Sequence, residues 1–152
     1  MKANTFYIDP IVVASSYNIK VYGDISSPPR LAKGESGMIV MEEGNITIYV
    51  SPNDTLEKQR FSIAHALGHF KHGHLSEDKT IFRDGHIGYS KDNYDLQELE
   101  ANDYATKLLM PKEKIDFLIE NKGCTRVEDI ASALIVSYTN MSNRLEQIGW
   151  FG

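Results

Sequence analysis

The sequence has one cysteine, Cys124, so it can form neither an internal disulfide nor a thiolate cluster around a metal ion. Its apolar runs fall far short of the about 20 residues that span a bilayer. Residues 1–10 also lack the apolar segment of a secretory signal. Basic side chains are few, 16 against 21 acidic ones, and the net charge of -5 repels polyanions. We therefore expect a cytoplasmic protein that has no membrane segment and does not bind nucleic acid directly.

Apolar periodicity predicts an α+β fold that is rich in helix. Hydrophobic residues make up 41% of the 152 positions, which is ordinary for a globular chain, and this length predicts one domain over residues 1–152. Asp9 and Pro10 are typical of a helix start, and residues 51–55 have the composition of a helix cap. A second strong helix begins at Asn93 or Asp95 and stops at Pro111. Residues 112–152 then form a helical subregion.

Two apolar runs, at 38–41 and 46–50, flank the turn residues Glu42-Glu43-Gly44-Asn45. This pattern predicts a β-hairpin. Alternating apolar residues from Ile19 to Ile25 favour a further strand, and the segment between the two strong helices is interpreted as a loop. The expected sheet is therefore small and antiparallel.

The histidines are clustered, at positions 65, 69, 72, 74 and 86. His65 and His69 are four residues apart on a predicted helix, so both rings lie on one face and can hold one ion. Neutral imidazole binds Zn²⁺, and catalytic zinc sites use three protein ligands and leave a fourth position open. Glu98 on the next helix is the predicted third ligand, with Glu100 as the alternative. Asn102, one turn after Glu98, is expected to orient a ligand ring.

The residue after the first histidine is unusual for a helical zinc hydrolase. In the HExxH motif, the glutamate is the general base that takes a proton from the attacking water. Here the motif reads His65-Ala66-Leu67-Gly68-His69, so Ala66 occupies the position of that base. Alanine cannot accept a proton, and general acid–base assistance is worth about 10²- to 10⁴-fold in rate. We expect hydrolysis to be severely impaired and binding to be retained.

Two segments of the chain, in order, resemble the ImmA/IrrE family of zinc metallopeptidases. Residues 60–69 follow the family pattern RF-x-x-AHE-x-GH except at Ala66. Residues 98–111 follow E-x-x-AN-x-FA-x-x-LLMP except at Tyr104, which replaces phenylalanine. The resemblance implies a zincin-like metallopeptidase domain with one zinc ion per chain. By position, it implies the gluzincin ligand set of His65, His69 and Glu98.

Further histidines and tyrosines lie near the two motifs, and the motifs do not fix their roles. A metzincin would have glycine at 72 and histidine at 75, and the chain departs from that pattern at both positions. His72 and His74 are instead expected at the solvated end of the motif helix, where positive charge suits the helix dipole. His86, Tyr89 and Tyr94 lie between the motif helices, where a side chain can donate to a developing oxyanion. The sequence does not select among these three.

The resemblance implies a protein substrate, namely a helix-turn-helix transcriptional repressor encoded nearby whose cleavage releases genes of mobile elements, prophages or stress responses. An extended peptide is expected to add as a strand beside the hairpin. Because the implied ligand set is complete and the general base at position 66 is the only missing catalytic residue, we interpret the chain as an inactivated, engineered form of such a peptidase. The alternative is a natural pseudoprotease that serves as a partner-binding regulatory module.

A third alternative is DNA binding through the C-terminal helices, since residues 127–149 have helix-turn-helix character. Residues 123–152 hold two basic side chains, Arg126 and Arg144, against three acidic ones, at positions 128, 129 and 146. Contact with phosphates needs a basic surplus. We therefore predict that these helices pack against the catalytic core.

Overall fold

The structure is a computed structural model that describes residues 6–85 and 95–150. The described chain divides into two compact units. One unit is Asp9–Ala105, and the other consists of residues 6–8 with residues 106–150. A single domain over residues 1–152 stays a prediction.

The described residues form helices and strands in an order that confirms the α+β class. They are α1 (Pro10–Ser16), β1 (Lys20–Gly23), β2 (Glu35–Glu42), β3 (Asn45–Val50), α2 (Leu56–Lys71), β4 (Ile81–Gly85), α3 (Leu96–Leu109), α4 (Lys112–Asn121), α5 (Val127–Leu134) and α6 (Tyr138–Gln147). The last three helices are the predicted helical C-terminal part. Within the described residues, no helix combines the length and the apolar character needed to cross a membrane.

The strands of the described chain form one four-stranded sheet in the order β1-β3-β2-β4. β2 and β3 pair antiparallel, with Ile39 opposite Ile48, so the predicted hairpin is confirmed. β4 pairs antiparallel with β2, whereas β1 pairs parallel with β3. The sheet is thus mixed rather than purely antiparallel. The connection from β1 to β3 includes all of β2, which gives it the length that a parallel pair requires.

Helix α2 packs on this sheet and buries the apolar core of Asp9–Ala105. Leu67 of α2 and the hairpin residues Ile39 and Ile48 are fully buried. The helix begins where the cap predicted it, because the Oγ1 of Thr55 accepts a hydrogen bond from the backbone N–H of Lys58 at 3.2 Å. The packed helix and sheet give the histidines of α2 a rigid support.

The C-terminal helices have their own core, made of the fully buried side chains Leu109, Ile115, Ile130, Leu134, Met141 and Leu145. Arg144 is also buried, and its Nε donates a hydrogen bond to the carbonyl oxygen of Met110 at 3.0 Å. One of the two basic side chains in this region is therefore held inside the protein rather than presented to a phosphate.

Candidate metal centre

The two histidines of the motif lie on the buried face of α2. His65 is 3% exposed and His69 is 1% exposed. Their Nε2 atoms are 3.2 Å apart, and the two rings meet edge to face at an interplanar angle of 82°. The spacing of four residues thus brings two imidazole nitrogens to one point, as the helical geometry requires.

Gly68 lets α3 approach this point. A Cβ built on Gly68 would lie 2.7 Å from both the Cα and the carbonyl oxygen of Ala101. Any side chain at position 68 would therefore collide with the backbone of α3. The close approach brings in Glu98, whose Oε2 is 2.7 Å from Nε2 of His65 and whose Oε1 is 3.3 Å from Nε2 of His69.

The donor atoms of His65, His69 and Glu98 all lie within 4.8 Å of one another. In a tetrahedral zinc site with bonds of about 2.0–2.1 Å, neighbouring donor atoms are about 3.3 Å apart. The distance of 3.2 Å between the two histidine Nε2 atoms and that of 3.3 Å from Nε2 of His69 to Oε1 of Glu98 match this donor–donor spacing. The shorter distance of 2.7 Å, from Nε2 of His65 to Oε2 of Glu98, corresponds to a hydrogen bond. Two imidazoles and one carboxylate fit zinc and leave its fourth position open.

Electrostatics favours a cation between these three side chains. Burial raises the pKa of the Glu98 carboxyl, but hydrogen bonds from His65 and His69 outweigh it and lower the pKa to about 2. Burial also lowers the pKa of His65, yet the hydrogen bond to Glu98 and the charges of Asp84 and Glu98 hold it above its usual value. For His69, burial prevails and lowers the pKa. At neutral pH, Glu98 is thus an anionic donor and His69 a neutral one.

Asn102 contacts the other nitrogen of the first histidine. Its Oδ1 lies 2.7 Å from Nδ1 of His65. When the ring N–H at Nδ1 donates to this amide oxygen, the lone pair of Nε2 remains for a metal ion. Glu98 and Asn102 are one turn apart on α3, which is why both reach the same ring.

His74 was expected at a solvated helix end, and that expectation is wrong, because His74 is only 9% exposed. Helix α2 ends in a Schellman motif, in which Gly73 takes a positive φ of 71° and donates to the carbonyl of Phe70 at 3.1 Å. The N–H of His74 then donates to the carbonyl of His69 at 3.0 Å. This turn folds His74 back onto the centre. The sequence signal was Gly73, placed just after the helix.

The structure also separates His72 and Glu100 from the candidate ligands. His72 caps the C-terminus of α2, and 37% of its side chain is exposed, in keeping with its predicted place. Glu100, the alternative third ligand, points instead to His74, with its Oε1 3.1 Å from Nε2 of that ring.

A small cleft opens beside the candidate ligands. Its wall includes Ala66, both ligand rings, Ser62 and Asp84. Burial raises the pKa of the Asp84 carboxyl and the charge of Glu98 adds to this rise, although His65 opposes it. Asp84 lies on β4, in the segment that the sequence predicts to be a loop, and that prediction is wrong for residues 81–85.

The three candidate oxyanion donors, His86, Tyr89 and Tyr94, lie outside the described residues. Their assignment therefore stays a prediction.

A known family model matches most of the chain. The model of the peptidase M78 family, described as the IrrE N-terminal-like domain, matches residues 29–146, which include the hairpin and both motif helices. No curated protein shows significant similarity to the chain. Since the match covers most of the sequence, the chain belongs to the ImmA/IrrE family of metallopeptidases.

Proposed function

We propose that this chain is a zinc-dependent endopeptidase scaffold whose hydrolytic step is disabled at Ala66. His65, His69 and Glu98 would hold one zinc ion per chain. The observation that carries the proposal is the convergence of these three donors within 4.8 Å, next to the cleft that Ala66 lines. A zinc ion bound there supplies a Lewis acid that polarises a peptide carbonyl and lowers the pKa of the attacking water.

The side chains around the centre have separate roles in this proposal. Glu98 contributes the negative charge of the site, and its depressed pKa keeps that charge over the whole physiological range. Asn102 holds the His65 ring by accepting from its Nδ1. Ala66 presents a methyl group where a proton acceptor is needed. Loss of the base predicts a rate about 10²- to 10⁴-fold below that of a complete site.

The sheet has one edge beside the candidate ligands at which a peptide would bind. Both edges of the hairpin are covered, by β1 and by β4, so the expected strand addition beside the hairpin is ruled out. Among the described strands, β4 is the edge that lies at the cleft, since Phe82 and Asp84 line it. An extended peptide would pair with this edge through backbone hydrogen bonds. We propose a helix-turn-helix repressor as the protein that supplies the peptide, on the strength of the family resemblance.

The test restores the missing base. Ala66→Glu and the isosteric control Ala66→Gln are purified without added metal, and zinc per chain is measured by elemental analysis. Each variant is then incubated with the helix-turn-helix repressor encoded beside it, and cleavage is followed by gel electrophoresis. We expect about one zinc in each variant, and cleavage by Ala66→Glu at a rate about 10²- to 10⁴-fold above that of the parent and of Ala66→Gln. Zinc-loaded Ala66→Glu that leaves the repressor intact would overturn the peptidase proposal.

That contrary result would favour the second candidate, a natural pseudoprotease that binds a partner without cutting it. Ala66 itself supports this candidate, because removing the base leaves the metal ligands and the edge of β4 in place. The two candidates are separated by the same experiment, since only an inactivated peptidase regains cleavage. DNA binding by the C-terminal helices is least favoured, because Arg144 is buried and its Nε donates to a backbone carbonyl.

A further inference from the structure

The second candidate ligand has a hydrogen-bonded chain behind it. Nδ1 of His69 lies 3.0 Å from Nδ1 of His74. Nε2 of His74 lies 3.1 Å from Oε1 of Glu100. The Nε2 atom of His69 faces the other way, toward His65 and Glu98.

We propose that His74 and Glu100 are positioning residues, which orient the His69 ring and set its tautomer for metal binding. This inference rests on the proposed zinc site and extends it to two residues outside the ligand set. Neither residue reaches the metal position directly. His74 accepts the outer N–H of His69, and Glu100 in turn accepts the N–H of His74.

Only one placement of the ring protons satisfies both hydrogen bonds, from His69 to His74 and from His74 to Glu100, when both rings are neutral and a metal takes Nε2 of His69. The proton of His69 must then sit on Nδ1, where it donates to Nδ1 of His74. His74 accepts at that atom, so its own proton sits on Nε2 and donates to the carboxylate of Glu100. Each ring nitrogen thus has one role, and the chain ends on a negative charge that strengthens the donor nitrogen of His69.

The surroundings hold both rings in place. Phe82 stacks on His69 with ring centroids 4.2 Å apart and an interplanar angle of 22°. The backbone of His74 is tied to the end of α2 by the Schellman turn, and only 5% of its side chain is exposed. Glu100 is 38% exposed, and its second oxygen lies 3.5 Å from Nδ1 of His72. The hydrogen bonds therefore lead from the buried candidate ligand His69, through His74, to the partly exposed carboxylate of Glu100 on α3.

The other histidine ligand has a simpler support. Nδ1 of His65 lies 2.7 Å from Oδ1 of Asn102, a single neutral amide on α3 that accepts the ring N–H when a metal takes Nε2. His69 lies at the last turn of α2, and its support comes from the turn that follows the helix and from a carboxylate. Because the two supports share no residue, each can be removed while the other remains.

The experiment measures zinc affinity by competition with a chromophoric chelator, using the full-length chain and zinc alone as the ligand. His74→Leu removes the acceptor for His69, whereas His74→Asn keeps an oxygen near the position of Nδ1. We expect His74→Leu to weaken zinc binding about 10- to 100-fold and His74→Asn to recover most of that loss. Glu100→Ala should weaken binding in the same direction, with Glu100→Gln intermediate. Cobalt substitution adds a second readout, because the visible absorption bands of Co²⁺ should shift in His74→Leu.

Thermal unfolding of the metal-free variants separates positioning from simple packing. If His74 only filled space, His74→Leu would bind zinc as tightly as the parent and leave the cobalt spectrum unchanged, and that result would overturn the inference. Equal losses of affinity in His74→Leu and His74→Asn would also overturn it. Glu98→Ala is the control for the site itself. If the parent chain bound no zinc, both this inference and the proposed zinc site would be wrong, whereas tight binding that is lost in Glu98→Ala but kept in His74→Leu would overturn this inference alone.

Discussion

Replacing Gly68 by alanine should damage the candidate metal centre, although Gly68 is not one of its three candidate ligands. The new Cβ would lie 2.7 Å from the Cα and the carbonyl oxygen of Ala101, whereas ordinary contacts begin at 3.4 Å. Both obstructing atoms belong to the backbone of α3, so no side-chain rotation relieves the collision. Helices α2 and α3 must therefore separate locally by about 0.7 Å, the difference between these two distances.

Two effects on stability oppose each other in this variant. Overpacking of a close contact costs about 1–3 kcal/mol. Alanine in a helix interior is about 0.8–1.0 kcal/mol more favourable than glycine. The net expectation is a loss of about 0–2 kcal/mol of unfolding free energy, since the collision with backbone dominates.

The effect on zinc should be larger than the effect on folding. Glu98 moves with α3, and a shift of about 0.7 Å exceeds the about 0.2 Å within which metal–ligand distances are held. We expect zinc affinity to fall at least as far as after loss of an outer hydrogen-bond partner, about 10- to 100-fold. Chelator competition measures the affinity, and chemical denaturation of the metal-free protein measures the stability.

The double variant Gly68→Ala/Ala101→Gly is the matched control. Deleting the side chain of Ala101 leaves its Cα and carbonyl in place, so zinc affinity should not recover. The reasoning would be refuted if Gly68→Ala gained about 1 kcal/mol of stability and bound zinc like the parent, because helix propensity alone would then explain the variant.

Two further variants test the surroundings of the ligands. Asn102→Leu should weaken zinc binding about 10- to 100-fold, and Asn102→Asp, which keeps an acceptor for His65, should not; equal affinities in chelator competition would contradict this. Asp84→Asn should raise the thermal stability of the metal-free protein at pH 7. Burial raises the pKa of Asp84 in the folded state above its unfolded value of 3.8, so its charge destabilises the fold above that range and not below it. Unfolding curves at pH 7 and pH 3 should therefore differ between variant and parent only at pH 7, and a lower melting temperature of the variant at pH 7 would show that Asp84 is stabilising.

Much of the fold was predictable because its signals are local. Asp9 and Thr55 cap α1 and α2 through side-chain oxygens that accept from the backbone N–H two or three residues later. Gly123 and Gly149, each with a positive φ, follow α4 and α6 inside the predicted helical subregion. Capping depends on neighbours in the sequence, so one sequence is enough to read it.

β4 could not be found in this way. Its sequence, Ile81-Phe82-Arg83-Asp84-Gly85, has only two apolar residues and ends in glycine. It is a strand because β2 supplies its hydrogen-bond partners, and β2 lies about forty residues earlier in the chain. Strand propensity of this kind depends on tertiary context. For the same reason the sequence alone does not place Asp84 at the cleft.

The candidate ligands can be read from the sequence because each helix carries its pair at a spacing of four, with His65 and His69 on α2 and Glu98 before Asn102 on α3. What the spacing does not say is whether the two faces meet. That depends on Gly68, which admits the backbone of α3, and the support behind His69 depends on Gly73, which turns His74 back onto the centre. Neither glycine has a side chain that could bind a metal ion. Even so, a chain with the same candidate ligands and a side chain at position 68 would not let α3 approach α2 as closely. A pattern of histidines and glutamate alone would therefore accept sequences that cannot assemble the centre.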